Sequence, residues 1–515
     1  MSYSKIFSEI PELTYEVIKY FKNDFSTLHS CILVNKLWCR LAIPLLWENP
    51  FSIPTKNYNF IGIYLHNLNG DLKAQLYEYK IDGNLFPSNT LFNYPIFLKY
   101  LYTWKIISSI EEWSKDVELE NSSSILEFMR LIHMSLFKVF IENKVNIHTF
   151  DIQIIHHNWY DSYIDDMLEL MLQYPDFFYN IRKLKLRFFK ASPSYTKNLI
   201  LQMINSYQNL KQISLNSSSL PIYQSLLSSK DYNHSSNTLN TIILYCLDFK
   251  VITNLDKLFK QLNVLESVHI IYCNLGTDFI QQIINLTKPL KLKSLLFHDN
   301  KEKQIVESLQ LLLQKYGDYL ENFRFKVGSR SFISEEQQLL ELIIKYCKTI
   351  KFLDLTVYND TQIIYSLLNL TENVKQNLNH LSITVYNNRL STIDLSKIIL
   401  QNLGQLLPLK LEYLSLTLVI EYKNDFEMFL KNSQNTFIKK LLINNKVGKD
   451  DKEGHGIHDF ILSYLKEYIM KKERFKYLAI INSNTDLFSF KDEVKEFELC
   501  NIKIQNIVIW LLILI

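Results

Sequence analysis

Glycine is scarce in this chain, with ten residues among 515. Phosphate-cradling loops need glycines in close succession and a turn-rich all-β barrel needs them at its reversals, so the scarcity argues against both. Cysteine is sparse too: Cys31, Cys39, Cys246, Cys273, Cys347 and Cys500 are scattered, with no C-x-x-C pair. Neither a disulfide framework nor a zinc site can be read from that spacing, and buried thiols in a reducing compartment, cytoplasmic or nuclear, are expected. A surplus of one charge is also missing. Lysine and arginine number 56 against 53 aspartates and glutamates, a formal charge of +3, which implies neither nucleic acid nor an anionic membrane as partner. The one strongly apolar run is IVIWLLILI, Ile507–Ile515, short of the about 20 residues a membrane helix needs. A last buried strand is expected there. The first residues lack a basic region, a continuous apolar stretch and a small-residue cleavage site, so no secretory leader is expected.

Signatures of catalysis are absent as well. The sequence holds no G-x-G-x-x-G, P-loop, H-E-x-x-H, nucleophile elbow or kinase motif. His156-His157 is its one histidine doublet, and adjacent residues on a strand face opposite ways, unsuited to chelating one metal. Neither enzymatic activity nor a cofactor or metal is expected.

What the chain does have is apolar residues, 47% of the total with 21% charged, the balance of a folded protein with a large core. They are patterned. In IPELTYEVIKYFKNDFSTLHSCILVNKLWCRLAIPLLW, Ile10–Trp47, Pro11 and Glu12 suit the first turn of a helix whose Leu13, Val17, Ile18 and Phe21 share a face. Asp24 or Ser26 can cap a second helix with Leu28, Cys31, Ile32 and Asn35 on one side. Leu37, Trp38, Leu41 and Ala42 form a third pattern that Pro44 is expected to interrupt. Three helices in about 40 residues seldom fold without disulfides, metal or a partner, so burial against another surface is expected.

These residues resemble the F-box motif. Ile10-Pro11, Val17-Ile18, Asp24, Leu28, the Val34-Asn35-Lys36-Leu37-Trp38 run and Leu46-Trp47 follow its order and internal spacing. Ile10 stands for the motif's leucine, and Asn35 for its cysteine or serine. The resemblance implies an F-box-like domain over residues 1–50 that binds a Skp-type adaptor and through it a cullin. Ile10, Pro11, Leu28, Cys31, Val34 and Trp38 are the candidate adaptor-binding residues. The bland reading of the same residues is a three-helix cap for the rest of the chain.

From residue 147 to 515 a short pattern recurs, apolar-x-x-apolar-x-apolar. Its eleven copies run from Ile181/Leu184/Leu186 through Leu320/Phe323/Phe325 to Phe475/Leu478/Ile480, with weaker copies at Ile147 and Phe497. Successive copies start about 28 residues apart, and most are succeeded by helix-period stretches such as EEQQLLELIIKYC. A strand and then an amphipathic helix at this period resembles leucine-rich repeats. The expected fold is α/β, an irregular solenoid with parallel strands inside and helices outside, with an all-α superhelix as the rival. The asparagine or cysteine usual eight positions after the first leucine occurs only as Cys273 and Asn300, so most bends must be closed by other means. Residues 51–146 read as a helical junction.

Side chains alternating with the apolar ones would face outward on the strands. Lys185, Arg187, His269, His298, Arg324, Lys326 and Tyr413 are the candidate target-binding face, although any solvated strand face has such a composition. Together the resemblances imply the substrate-recognition subunit of a Skp–cullin–F-box type ubiquitin ligase holding an unknown target protein. The alternative is a non-catalytic repeat scaffold with an N-terminal cap.

Overall fold

The computed structural model describes residues 10–504 other than 23, 54–56, 67, 80–88, 116–121, 155–157, 190–193, 220–221, 223–237, 252–258, 261, 288–289, 299–304, 327–332, 359, 386–391, 447–453, 470–474 and 483–484. The tail Ile507–Ile515, the His156-His157 doublet, Asn300 and the side chains of His298 and Lys326 lie outside the described residues. The chain forms two compact units, residues 1–243 with 261–265 and residues 244–260 with 266–515.

The first unit opens with helices α1 (Pro11–Lys19), α2 (Phe25–Ile32) and α3 (Lys36–Leu46). Two short helices, α4 (Phe60–Leu65) and α5 (Gly70–Glu78), precede strand β1 (Tyr100–Tyr102). Then α6 (Thr103–Ser114), α7 (Ser122–Glu142) and α8 (Asn158–Leu172) alternate with β2 (Thr149–Ile154) and β3 (Lys183–Phe188), and α9 (Ser194–Ser206) leads to β4 (Gln212–Asn216). β1 through β4 pair in parallel, each with its successor. β1 was not foreseen. It is three residues long and runs straight into a helix, too short for a period-2 pattern to register.

β5 (Thr241–Tyr245) spans the boundary between the units. The second unit then repeats strand and helix: β6 (Ser267–Cys273), β7 (Lys291–His298), β8 (Asn322–Lys326), β9 (Phe352–Val357), β10 (His380–Val385), β11 (Lys410–Leu418), β12 (Phe437–Asn445) and β13 (Tyr477–Asn482). Neighbours in that order pair in parallel. β14 (Thr485–Asp486) turns back antiparallel on β13, and β15 (Lys503–Ile504) also pairs with β13, in parallel. In all eleven copies of the sequence pattern the second and third apolar residues fall on strands, which removes the all-α alternative. Both units are α/β, a parallel-strand, solenoid-like arrangement.

Register explains the pattern. Leu353, Leu381, Leu414, Leu441 and Leu478 lie side by side across β9 to β13, all fully buried. Each contributes about 1.5–3 kcal/mol by burial. A slip of one residue would turn a whole row to the other face, so the ladder fixes the pairing of each new strand.

The bends are where this chain departs from a regular repeat. Cys273 acts as its position implies: its Sγ accepts from Leu247 N–H and donates to the Leu244 carbonyl, both at 3.4 Å. Two asparagines do the same at shifted positions. Asn216 donates to Phe188 O at 2.7 Å and accepts from Phe188 N at 3.2 Å, while Asn445 accepts from Ile420 N at 2.8 Å and donates to Ile420 O at 3.2 Å. Elsewhere a helix supplies a hydroxyl: Thr103 Oγ1 accepts from Gln153 N at 3.0 Å, and Ser396 Oγ from Val419 N at 3.1 Å. Asn445→Ala would strand the buried N–H and C=O of Ile420, each costing about 1–3 kcal/mol. Urea unfolding should show about 2–4 kcal/mol of lost stability, and an unchanged midpoint would contradict this role.

Candidate functional site

The three N-terminal helices are set by local chemistry. Pro11 starts α1, where its missing N–H is harmless. Asp24 caps α2 through Thr27 N at 3.3 Å. Asn35 caps α3 through Trp38 N at 3.0 Å; it is not on the α2 face expected from spacing, because α2 ends at Ile32. Nor does Pro44 break α3, which continues to Leu46. The donor Pro44 lacks would serve the carbonyl of Arg40, an exposed residue, which water can satisfy.

Ile18, Leu28, Cys31, Ala42 and Leu45 close into a buried cluster, with Trp38 half-buried against it. Of the candidate adaptor residues, Leu28 and Cys31 therefore face inward and shape the module from within. Ile10 and Val34 stay exposed at 44% and 57%, joined by Leu13 at 42% and Leu33 at 76%, and Pro11 is exposed as well. Leu13 and Leu33 were missed. Leu13 shares its helical face with Ile18, which is buried, and Leu33, as the C-cap of α2, belongs to no periodic pattern.

The module is tied to its unit just after α3. Trp47 is buried against Tyr64 and Tyr94, ring centroids 5.4 and 4.2 Å away. The next residue, Glu48, is a buried carboxylate gripped by Lys22 from the α1–α2 turn and by Lys99 at the entry to β1, each at 2.5 Å. Its backbone oxygen accepts from Lys99 N at 2.9 Å and Tyr100 N at 3.2 Å. Burial alone would raise the Glu48 pKa, but the two ammonium groups outweigh it and hold the carboxyl below its ordinary value. Burial works against the charge on Lys22, and Glu48 more than offsets it, so its pKa is raised.

On the strands, most candidate target-face residues are already engaged. Arg187 forms a two-pronged pair with buried Asp151, at 2.8 and 3.1 Å; burial raises Asp151 and Arg187 opposes the rise. Lys185 lies beside Asp151 in register. In the second unit Arg324 sits over the Tyr272 ring, bonds its hydroxyl at 2.9 Å and pairs with Asp354 at 3.3 Å. The ring of His269 meets Ser294 Oγ at 2.8 Å; burial and then Lys293 lower its pKa. Tyr413 stacks on His380, centroids 4.0 Å apart, and His380 on Phe352 at 4.1 Å. Burial pushes Tyr413 up to about 12 and His380 down to about 3, so this row is uncharged at neutral pH. Side chains already held by such bonds have less freedom left to lose on binding.

Among the described residues, no group of three or more histidines, cysteines, aspartates or glutamates could hold a metal ion, and the six cysteines are unpaired. No helix among them is long and apolar enough to cross a membrane. No protein-family model matches the sequence, and neither does any curated protein.

Proposed function

We propose that the chain is the substrate-recognition subunit of a Skp–cullin–F-box type ubiquitin ligase. Residues 1–50 form an F-box that binds the adaptor, and leucine-rich repeats hold the target. The supporting observation is a helical module closed on its own core yet presenting Ile10, Leu13, Leu33 and Val34 outward. Exposed apolar side chains gathered in one small module offer a partner surface to dock on. A receptor of this kind needs no active site. It raises the effective concentration of target lysines near a ligase-bound conjugating enzyme, in the cytoplasm or nucleus.

A second reading has its own support. Leu28 and Cys31 are buried and Trp38 half-buried within the module, as in a cap for a scaffold with no role in ubiquitination. Pull-down with a Skp-type adaptor separates the two. The intact chain should capture the adaptor, and the same chain carrying Leu33→Asp with Val34→Asp should not while remaining folded. No capture by the intact chain favours the cap.

A further inference from the structure

The outward face of β3 carries a concentration of positive charge that the near-neutral whole chain conceals. Arg182, Lys183, Lys185 and Arg187 lie within six residues. The last three alternate with buried Leu184, Leu186 and Phe188, so they project from one side of the sheet about 6.6 Å apart. Lys211 enters β4 next to Arg182, its N–H bonded to the Arg182 carbonyl at 2.8 Å. Within β1 to β4 themselves, Asp151 is the one carboxylate. It is consumed by Arg187. The outward neighbours on β4, Gln212 and Ser214, are neutral. Arg182, Lys183, Lys185 and Lys211 form no ion pair among the described residues. Burial lowers the pKa of nearby His148, and Lys99 and Arg182 lower it further while Glu48 opposes them.

The geometry points to this face as the docking site for an acidic segment of another polypeptide, with aspartate or glutamate side chains at alternate positions of an extended stretch. This rests on the receptor reading and names the class of target it would hold. The spacing fits: carboxylates two residues apart on an extended chain repeat at about the same 6.6 Å as the cations on β3. The residue types favour carboxylate over phosphate. Phosphate recognition leans on arginine forks, and here Arg187's fork is occupied by Asp151, leaving chiefly lysine ammoniums. A nucleic acid would want a longer stripe than one strand and its neighbour provide.

The probe is a fluorescein-labelled peptide of about twelve residues alternating glutamate and serine, titrated with the full chain and followed by fluorescence anisotropy. Binding should weaken with added salt, and Lys183→Gln with Lys185→Gln, which sets no new negative charge beside Asp151, should weaken it at least tenfold at a melting temperature within a few degrees of wild type. The exposed pair Lys291→Gln with Lys439→Gln, in the second unit, should leave it within twofold. No binding, or equal losses from both pairs, overturns the inference. So does tighter binding of a glutamine–serine peptide, of a phosphoserine peptide by more than tenfold, or of single-stranded RNA of equal length. Adaptor pull-down on the same preparations keeps the two ideas apart. Peptide binding without adaptor capture supports the acidic-segment site and sinks the receptor, whereas adaptor capture without peptide binding does the reverse.

Discussion

Replacing Leu33 and Val34 together by aspartate should abolish capture of a Skp-type adaptor while leaving the unfolding transition in place. In the free chain both side chains stand largely in water, so the exchange removes little buried apolar area. The new carboxylates lie past the end of α2, whose C-cap is Leu33, where the dipole penalises negative charge by a few tenths of a kcal/mol. In a complex the arithmetic reverses. Truncating an interface anchor typically costs about 2 kcal/mol or more, and an unpaired charge forced out of water costs more. About 4 kcal/mol for the two sites is about a thousandfold in affinity. Leu28→Ala is the contrasting change: Leu28 is fully buried in the module, so about 2–5 kcal/mol of stability should go, with adaptor binding lost only through unfolding. Calorimetric titration paired with thermal melts reads both. Wild-type affinity in the Leu33/Val34 variant would remove the exposed residues from the interface.

Glu48→Ala should loosen the joint between the module and the rest of its unit. The carboxylate is buried while Lys22 and Lys99 are about a third exposed, so the lysines can partly rehydrate. The loss should therefore be about 2–4 kcal/mol, below that of a fully enclosed pair. Glu48→Gln keeps the shape and removes the charge, which makes it the variant for pH work. The Glu48 pKa is lower when folded, so its contribution is present above the unfolded value and disappears as pH falls through the folded one. The Lys22 pKa is raised, so its share is present below its unfolded value and is lost as pH rises through the folded one. Wild type and Glu48→Gln should thus differ most near neutral pH and converge in acid. Melting curves that run parallel at every pH would show that the clamp carries no charge-dependent stability.

Periodicity made the strands readable because each repeat had to place leucines such as Leu353, Leu381 and Leu414 in one row. The bends were less readable. Asn216 and Asn445 perform the expected task one or two positions early, and Thr103 and Ser396 perform it from helices, where a fixed-offset search does not look. Pro44 misled because a proline in sequence does not reveal that Arg40's carbonyl can reach water. On the module, spacing groups residues by helix face but does not say which face the other helices cover. Leu28 and Val34 were therefore grouped together, although one is buried and the other exposed. Glu48 carried no signal: its partners Lys22 and Lys99 are 26 residues before and 51 residues after it, and only the folded chain brings them together. The same holds for Asp151 and Arg187.

Hydrogen–deuterium exchange of the intact chain, with and without a Skp-type adaptor, tests the central claim most directly. Protection should appear between Ile10 and Trp47, strongest around Leu33 and Val34, with exchange in β9 to β13 unchanged. Identical exchange of Ile10–Trp47 in the two samples, at saturating adaptor, would contradict it.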